Sequence, residues 1–127
     1  MHNTGHKIYS LIEELWPINR SITGQGVRDS LQIIKKILPN LSIKEIPSGN
    51  KCFDWTIPKE WKVNNAWIIT PQGKKICDFK NNNLHLLGYS FAINKTMTLK
   101  ELNKHLYSLP DQPNAIPYIT SYYEKRW

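Results

Sequence analysis

Asn19-Arg20-Ser21-Ile22-Thr23-Gly24-Gln25-Gly26 is a turn-rich joint, and what lies on either side of it sets the architecture. Upstream, residues 5–16 carry Ile8, Leu11, Ile12, Leu15 and Trp16 at helical spacing on one face. Pro17 ends that helix, because proline lacks the donor a further turn would need. Downstream, residues 25–38 predict a second helix. Val27, Leu31, Ile34 and Leu38 form its stripe, widened by Ile33 and Ile37, and Pro39-Asn40 closes it. Residues 41–46 alternate as a short strand: Leu41, Ile43 and Glu45 point one way, Ser42, Lys44 and Ile46 the other. Pro47-Ser48-Gly49-Asn50 is a turn. The first fifty residues therefore read helix, helix, strand.

After Gly49 the composition changes. Phe53, Trp55, Ile57, Trp61, Val63, Trp67, Ile68 and Ile69 are bulky β-formers. Thr70-Pro71-Gln72-Gly73 predicts a hairpin turn with a return strand over residues 74–79. Asn81-Asn82-Asn83 is another turn, and residues 84–87 and 91–97 predict two further strands of a small antiparallel sheet. Thr98-Leu99-Lys100-Glu101 has the capping-box pattern, predicting a helix over residues 99–107 with Leu99, Leu102, Leu106 and Leu109 inward. Pro110, Pro113 and Pro117 then force an extended path. The segment from Tyr118 to Trp127 is apolar and aromatic, where a chain end is more often polar and frayed, so the fold is expected to continue past it.

The 127 residues fit one domain or part of one. A hydrophobic content of 40% is too high for a disordered chain. Five Trp and six Tyr call for burial or a partner surface. The net charge of +7 comes from scattered lysines. Arginine carries most base and phosphate recognition, and Arg20, Arg28 and Arg126 are the three present, so the balance argues for a solvated surface and against nucleic acid. Cys52 and Cys77 sit beside Phe53 and Ile76 and are expected to be buried free thiols. No apolar run approaches membrane-spanning length and no signal peptide opens the chain, which predicts a cytoplasmic protein with no membrane partner.

The residues present do not compose a catalytic site. His2 and His6 stand four apart, as a helical metal pair would, but zinc needs three or four converging ligands and no carboxylate or thiolate completes the set. His85 is placed on a strand between Leu84 and Leu86, facing opposite to them, and His105 on the surface of the capped helix. Ser21, Ser48 and Ser90 lack a nucleophile elbow. Gly24-Gln25-Gly26 resembles the start of a dinucleotide fingerprint. The spacing fails, however, and a helix precedes it where a strand is required. The glycines could hold an anion at a helix N-terminus, but a tight joint is the simpler role. Asp54, Glu60, Asp78 and Asp111 are spread out, with no spacing that forces a pair together.

A series of motifs gives a further lead. Arg20-Ser21-Ile22-Thr23-Gly24-Gln25-Gly26-Val27-Arg28, Pro47-Ser48-Gly49 and Phe53-Asp54-Trp55-Thr56-Ile57-Pro58-Lys59-Glu60-Trp61 are followed by Asp78-Phe79, Asn83-Leu84-His85 and Gly88-Tyr89-Ser90. His105-Leu106-Tyr107-Ser108-Leu109-Pro110 and residues 115–123 complete the series. In this order they resemble the N-terminal part of the bacterial aminopeptidase-like family, polysaccharide-biosynthesis proteins with an aminopeptidase-like domain. That family resembles the co-catalytic zinc aminopeptidases.

The resemblance implies an α+β chain. Residues 1–50 would be the helix–helix–strand edge of an α/β zinc-peptidase-like core, and residues 51–127 a small antiparallel β-rich inserted domain with one capped helix, itself incomplete. It implies zinc for the full-length parent and no cofactor in this chain, because the family's metal-binding motifs match no position here. The partners implied are the remainder of the peptidase polypeptide and a peptide or amide substrate. Substrate access is then assigned to His85 and the aromatic tail with Tyr118, Tyr122, Tyr123 and Trp127. The alternative is a stand-alone binding module in which Trp55, Trp61 and Trp67 stack on carbohydrate, with lysines aiding an anionic partner.

Overall fold

The computed structural model describes residues 3–119. The chain forms two compact units, Met1–Asn64 and Asn65–Trp127. With helices and small antiparallel sheets together, the class is α+β.

In the first unit, α1 spans Asn3–Leu15 and α2 spans Gln25–Ile37, as the periodicity predicts. The end of α1 is tied off by side chain and backbone. Trp16 N–H donates to the Ile12 carbonyl at 2.8 Å, and Arg20 Nη1 donates to the Leu15 carbonyl at 2.7 Å. These satisfy carbonyls that a helix end otherwise leaves open. In α2, Lys35 and Lys36 occupy the last turn, where positive charge complements the helix dipole. Lys36 also reaches Glu14 on α1 at 3.6 Å.

Residues 41–46 do not form a strand. A strand exists only through its ladder, and among the described residues this segment has none. The first hairpin instead joins β1 (Lys51–Cys52) to β2 (Trp55–Thr56), antiparallel, with Cys52 opposite Trp55. Gly49 N–H donates to the Ile57 carbonyl at 2.8 Å and Ile57 N–H to the Asn50 carbonyl at 2.9 Å, which extends the pairing past the strand ends.

In the second unit, β3 (Ile68–Ile69) pairs antiparallel with β4 (Lys75–Ile76) around the predicted turn. Thr70 N–H donates to the Lys74 carbonyl and Gly73 N–H to the Thr70 carbonyl, both at 2.9 Å. The predicted strand over 84–87 is a 3-10 turn, Asn83–His85. Asn82 Oδ1 accepts from Leu84 N–H at 3.0 Å and starts that turn, a local asparagine bond that outcompetes extension. Residues 91–97 form no strand either. The capping box is as read from the sequence. Thr98 Oγ1 accepts from Glu101 N–H at 3.3 Å, and Glu101 Oε2 accepts from Thr98 N–H at 3.0 Å. The helix behind it, α3, covers Leu99–Leu102 and tightens into a 3-10 turn at Asn103–His105, shorter than the predicted 99–107. His105 is half-buried, not a surface residue.

Little of this chain is buried. Among the described residues, Tyr89 and Ser30 are buried, at 8% and 6% exposure. Cys52 and Cys77 are exposed, against expectation, because two-residue strands build no second layer to cover them. Ile8, Ile12, Trp16, Ile22, Ile46, Leu84 and Leu99 all stand more than half exposed.

Candidate functional site

Three of the sequence motifs converge in the first unit. The joint is shaped by two glycines. Gly24 has φ +129, a region that disfavours side chains, and caps α2 with its carbonyl, which accepts from Val27 N–H at 3.2 Å. At Gly26 a β-carbon would lie 1.9 Å from the Asn19 carbonyl oxygen, so no other residue fits there. Ser21 Oγ donates to the Thr23 carbonyl, and Ser30 Oγ donates to the Gly26 carbonyl at 2.8 Å. The joint then meets the third motif, where Thr23 Oγ1 donates to the Lys59 carbonyl at 3.4 Å. The second motif meets it too, with Ser48 Oγ donating to the Pro58 carbonyl at 2.8 Å.

Arg28 is the charged centre of this convergence, and the sequence reading gave it no role of its own. Its Nη1 donates to Glu60 Oε2 at 3.2 Å while Nη2 bonds Glu60 Oε1, a two-pronged pairing. Its Nε donates to Glu45 Oε1 at 3.0 Å. The guanidinium is pushed up from its ordinary value, chiefly by its bond to Glu60 and then by that to Glu45. The Glu60 carboxyl is held below its ordinary value by the same bond. One arginine on α2 thus fastens residues 41–46, which lack a strand partner, to the segment following β2. Signal for it lay in the spacing of Arg28, Glu45 and Glu60 only once the fold is known.

In the second unit two of the remaining motifs, Asp78-Phe79 and Asn83-Leu84-His85, meet at Asp78. Its Oδ1 accepts from Lys80 N–H at 2.9 Å, and its Oδ2 lies 3.5 Å from Lys75 Nζ. The Lys80 bond is the main cause of its lowered pKa, with Lys75 adding to it. Lys75 Nζ also sits 4.3 Å from the centre of the Trp67 ring, a cation–π contact. His85 Nδ1 lies 3.2 Å from the Asp78 carbonyl oxygen. A carbonyl only accepts, so Nδ1 carries a proton in this contact, and in the neutral ring Nε2 is then the acceptor nitrogen. His85 is exposed and sits on the 3-10 turn, not on a strand.

Of the other candidates, Tyr118 is 90% exposed. Tyr122, Tyr123 and Trp127 lie outside the described residues, as does His2. Trp55 and Trp61 are half-buried, and Lys75 sits over the Trp67 ring. Among the described residues, no group of three or more His, Cys, Asp or Glu is placed to hold a metal ion. The donor set for a zinc centre is thus not assembled by these residues. Among them, too, no helix is long and apolar enough to cross a membrane.

Residues 60–127 match the family model described as Domain of unknown function (DUF2172). The chain is 53% identical over 124 residues to a curated protein of Clostridium acetobutylicum named "Putative polysaccharide biosynthesis protein with aminopeptidase-like domain". That match covers 98% of this chain and 28% of the relative, so the chain spans little more than a quarter of the relative's length. It is also similar to a crystal structure described as a "putative peptidase" from Clostridium acetobutylicum, with a TM-score of 0.91 and 53% identity. The likeness covers 98% of this chain and 29% of the solved one. The chain belongs to the DUF2172 family and, as its motif series indicated, to the bacterial aminopeptidase-like proteins.

Proposed function

We propose that this chain is a non-catalytic portion of an aminopeptidase-like hydrolase linked to polysaccharide biosynthesis, and that the remainder of that polypeptide is its first partner. The observation that carries the reading is the exposed surface. Ile8, Ile12, Trp16, Ile22, Ile46, Leu84 and Leu99 all stand more than half exposed, large apolar side chains of the kind a folded protein covers. Supporting it, the named relative is far longer than this chain.

In this reading residues 1–50 form the edge of the aminopeptidase-like core and residues 51–127 belong to a β-rich insert. The hydrolytic zinc is held by polypeptide other than the residues described here, and the work of this portion is to shape access for a peptide or amide substrate in the cytoplasm. His85 is the best-placed contributor. Its Nδ1 proton is committed to the Asp78 carbonyl, which leaves Nε2 to accept a hydrogen bond from substrate. Tyr118, Tyr122, Tyr123 and Trp127 would supply the aromatic wall.

The test compares the 127-residue chain with a longer aminopeptidase-like polypeptide that contains it. The chain alone should bind no stoichiometric zinc in equilibrium dialysis and should not cleave aminoacyl anilides, while the longer protein does both. In the longer protein, His85→Ala and Tyr122→Ala should raise KM or lower kcat/KM. Cleavage by the short chain would overturn the non-catalytic reading. Unchanged kinetics in both variants would remove the substrate-access role.

A further inference from the structure

The tip of the first hairpin carries a side chain that nothing among the described residues covers. Phe53 is 99% exposed and has φ +56. With Cys52 paired to Trp55, Phe53 and Asp54 form a two-residue loop. Positive φ falls on Phe53 and not on Asp54, the type II′ pattern, whose first central position favours glycine. A bulky residue in the left-handed region is a backbone outlier. Here strain and full exposure of a large apolar ring fall on one residue, and glycine would relieve both. Strain of this kind persists where it serves a function.

We propose that Phe53 is a docking anchor that inserts into an apolar pocket on the remainder of the aminopeptidase-like polypeptide. This rests on the reading above, in which that polypeptide covers the chain's exposed apolar side chains. Three observations select this occupant. The relative continues for most of its length beyond the matched portion. Among the described residues this ring is more exposed than any other large hydrophobic side chain. The hairpin is also braced from behind, since Gly49, Asn50 and Ile57 extend its ladder and Ser48 bonds the Pro58 carbonyl. A braced hairpin presents its tip in a fixed place, as a buried aromatic anchor at an interface requires.

The experiment uses this chain alone and a chimera in which it replaces the matching portion of the Clostridium acetobutylicum protein. Phe53 is replaced by 4-cyanophenylalanine in both, and the nitrile stretch reports the surroundings of the ring. The expected result is a water-like frequency in the chain and a shift to an apolar-like frequency in the chimera. Phe53→Gly gives a second readout of opposite sign, raising the melting temperature of the chain and lowering that of the chimera. A water-like nitrile in a cooperatively folded chimera overturns the anchor and leaves the function reading standing. A chimera that does not fold cooperatively overturns both. An apolar-like nitrile in the chain alone, growing with concentration, assigns the pocket to a second copy and also overturns the proposal.

Discussion

Gly26 shows how a single position can hold a joint together. A β-carbon there would collide with backbone, the Asn19 carbonyl, and not with a side chain that could swing away. Gly26→Ala should therefore cost about 3 kcal/mol, at the upper end for overpacking, read as a lowered urea midpoint. Arg28 sets a second residue-scale expectation. Lysine keeps the charge but cannot make the two-pronged bond to Glu60 while also reaching Glu45. Arg28→Lys should lower the melting temperature at neutral pH. The sign with pH follows from Glu60, whose folded pKa is depressed by Arg28. Its contribution is present above the unfolded carboxylate range and is lost as pH falls through the folded value. The gap between wild type and Arg28→Lys should close in acid, and should also narrow in high salt because the pair is exposed. A gap independent of both would assign the arginine's effect to packing.

At the scale of elements, the capped α3 is the clearest case. Its box is complete, and the carboxyl of Glu101 is held below its ordinary value chiefly by the Thr98 backbone N–H. Thr98→Ala should cost about 1 kcal/mol and speed amide exchange over residues 99–102, while Thr98→Ser should retain most of the protection. This element was legible because a cap is local: four consecutive residues carry all its chemistry. The two long helices were legible for a related reason, since their apolar spacing and the bounding Pro17 and Pro39 lie within the segment itself. Residues 41–46, 84–87 and 91–97 were not. Alternation shows that a segment could be half-buried in a sheet, but a strand needs a partner, and partners are set by the whole chain. Asn82 redirected residues 83–85 into a 3-10 turn, and Arg28 holds Glu45 by its side chain where a ladder was expected. His85 was recognised as a candidate, yet its tautomer could come only from the geometry at Asp78. The apolar neighbours of Cys52 and Cys77 suggest burial, yet those neighbours, Phe53 and Ile76, are themselves exposed, and so are both thiols.

For the molecule as a whole, the decisive quantity is surface left uncovered. Helix α1 has the apolar stripe the sequence predicts, yet Ile8, Ile12 and Trp16 stand 56%, 54% and 68% exposed. A stripe of this kind is normally the face a helix buries, and each such side chain is worth about 2 kcal/mol when fully covered. On the proposed reading, this chain is a portion whose stability comes largely from polypeptide packed against it. Amide hydrogen exchange over Asn3–Leu15 tests that directly, measured in the isolated chain and in a longer aminopeptidase-like polypeptide that contains it. The account predicts that exchange in α1 slows by about a hundredfold or more in the longer protein, as local opening becomes coupled to a larger cooperative unit. Equal exchange rates in the two would contradict it.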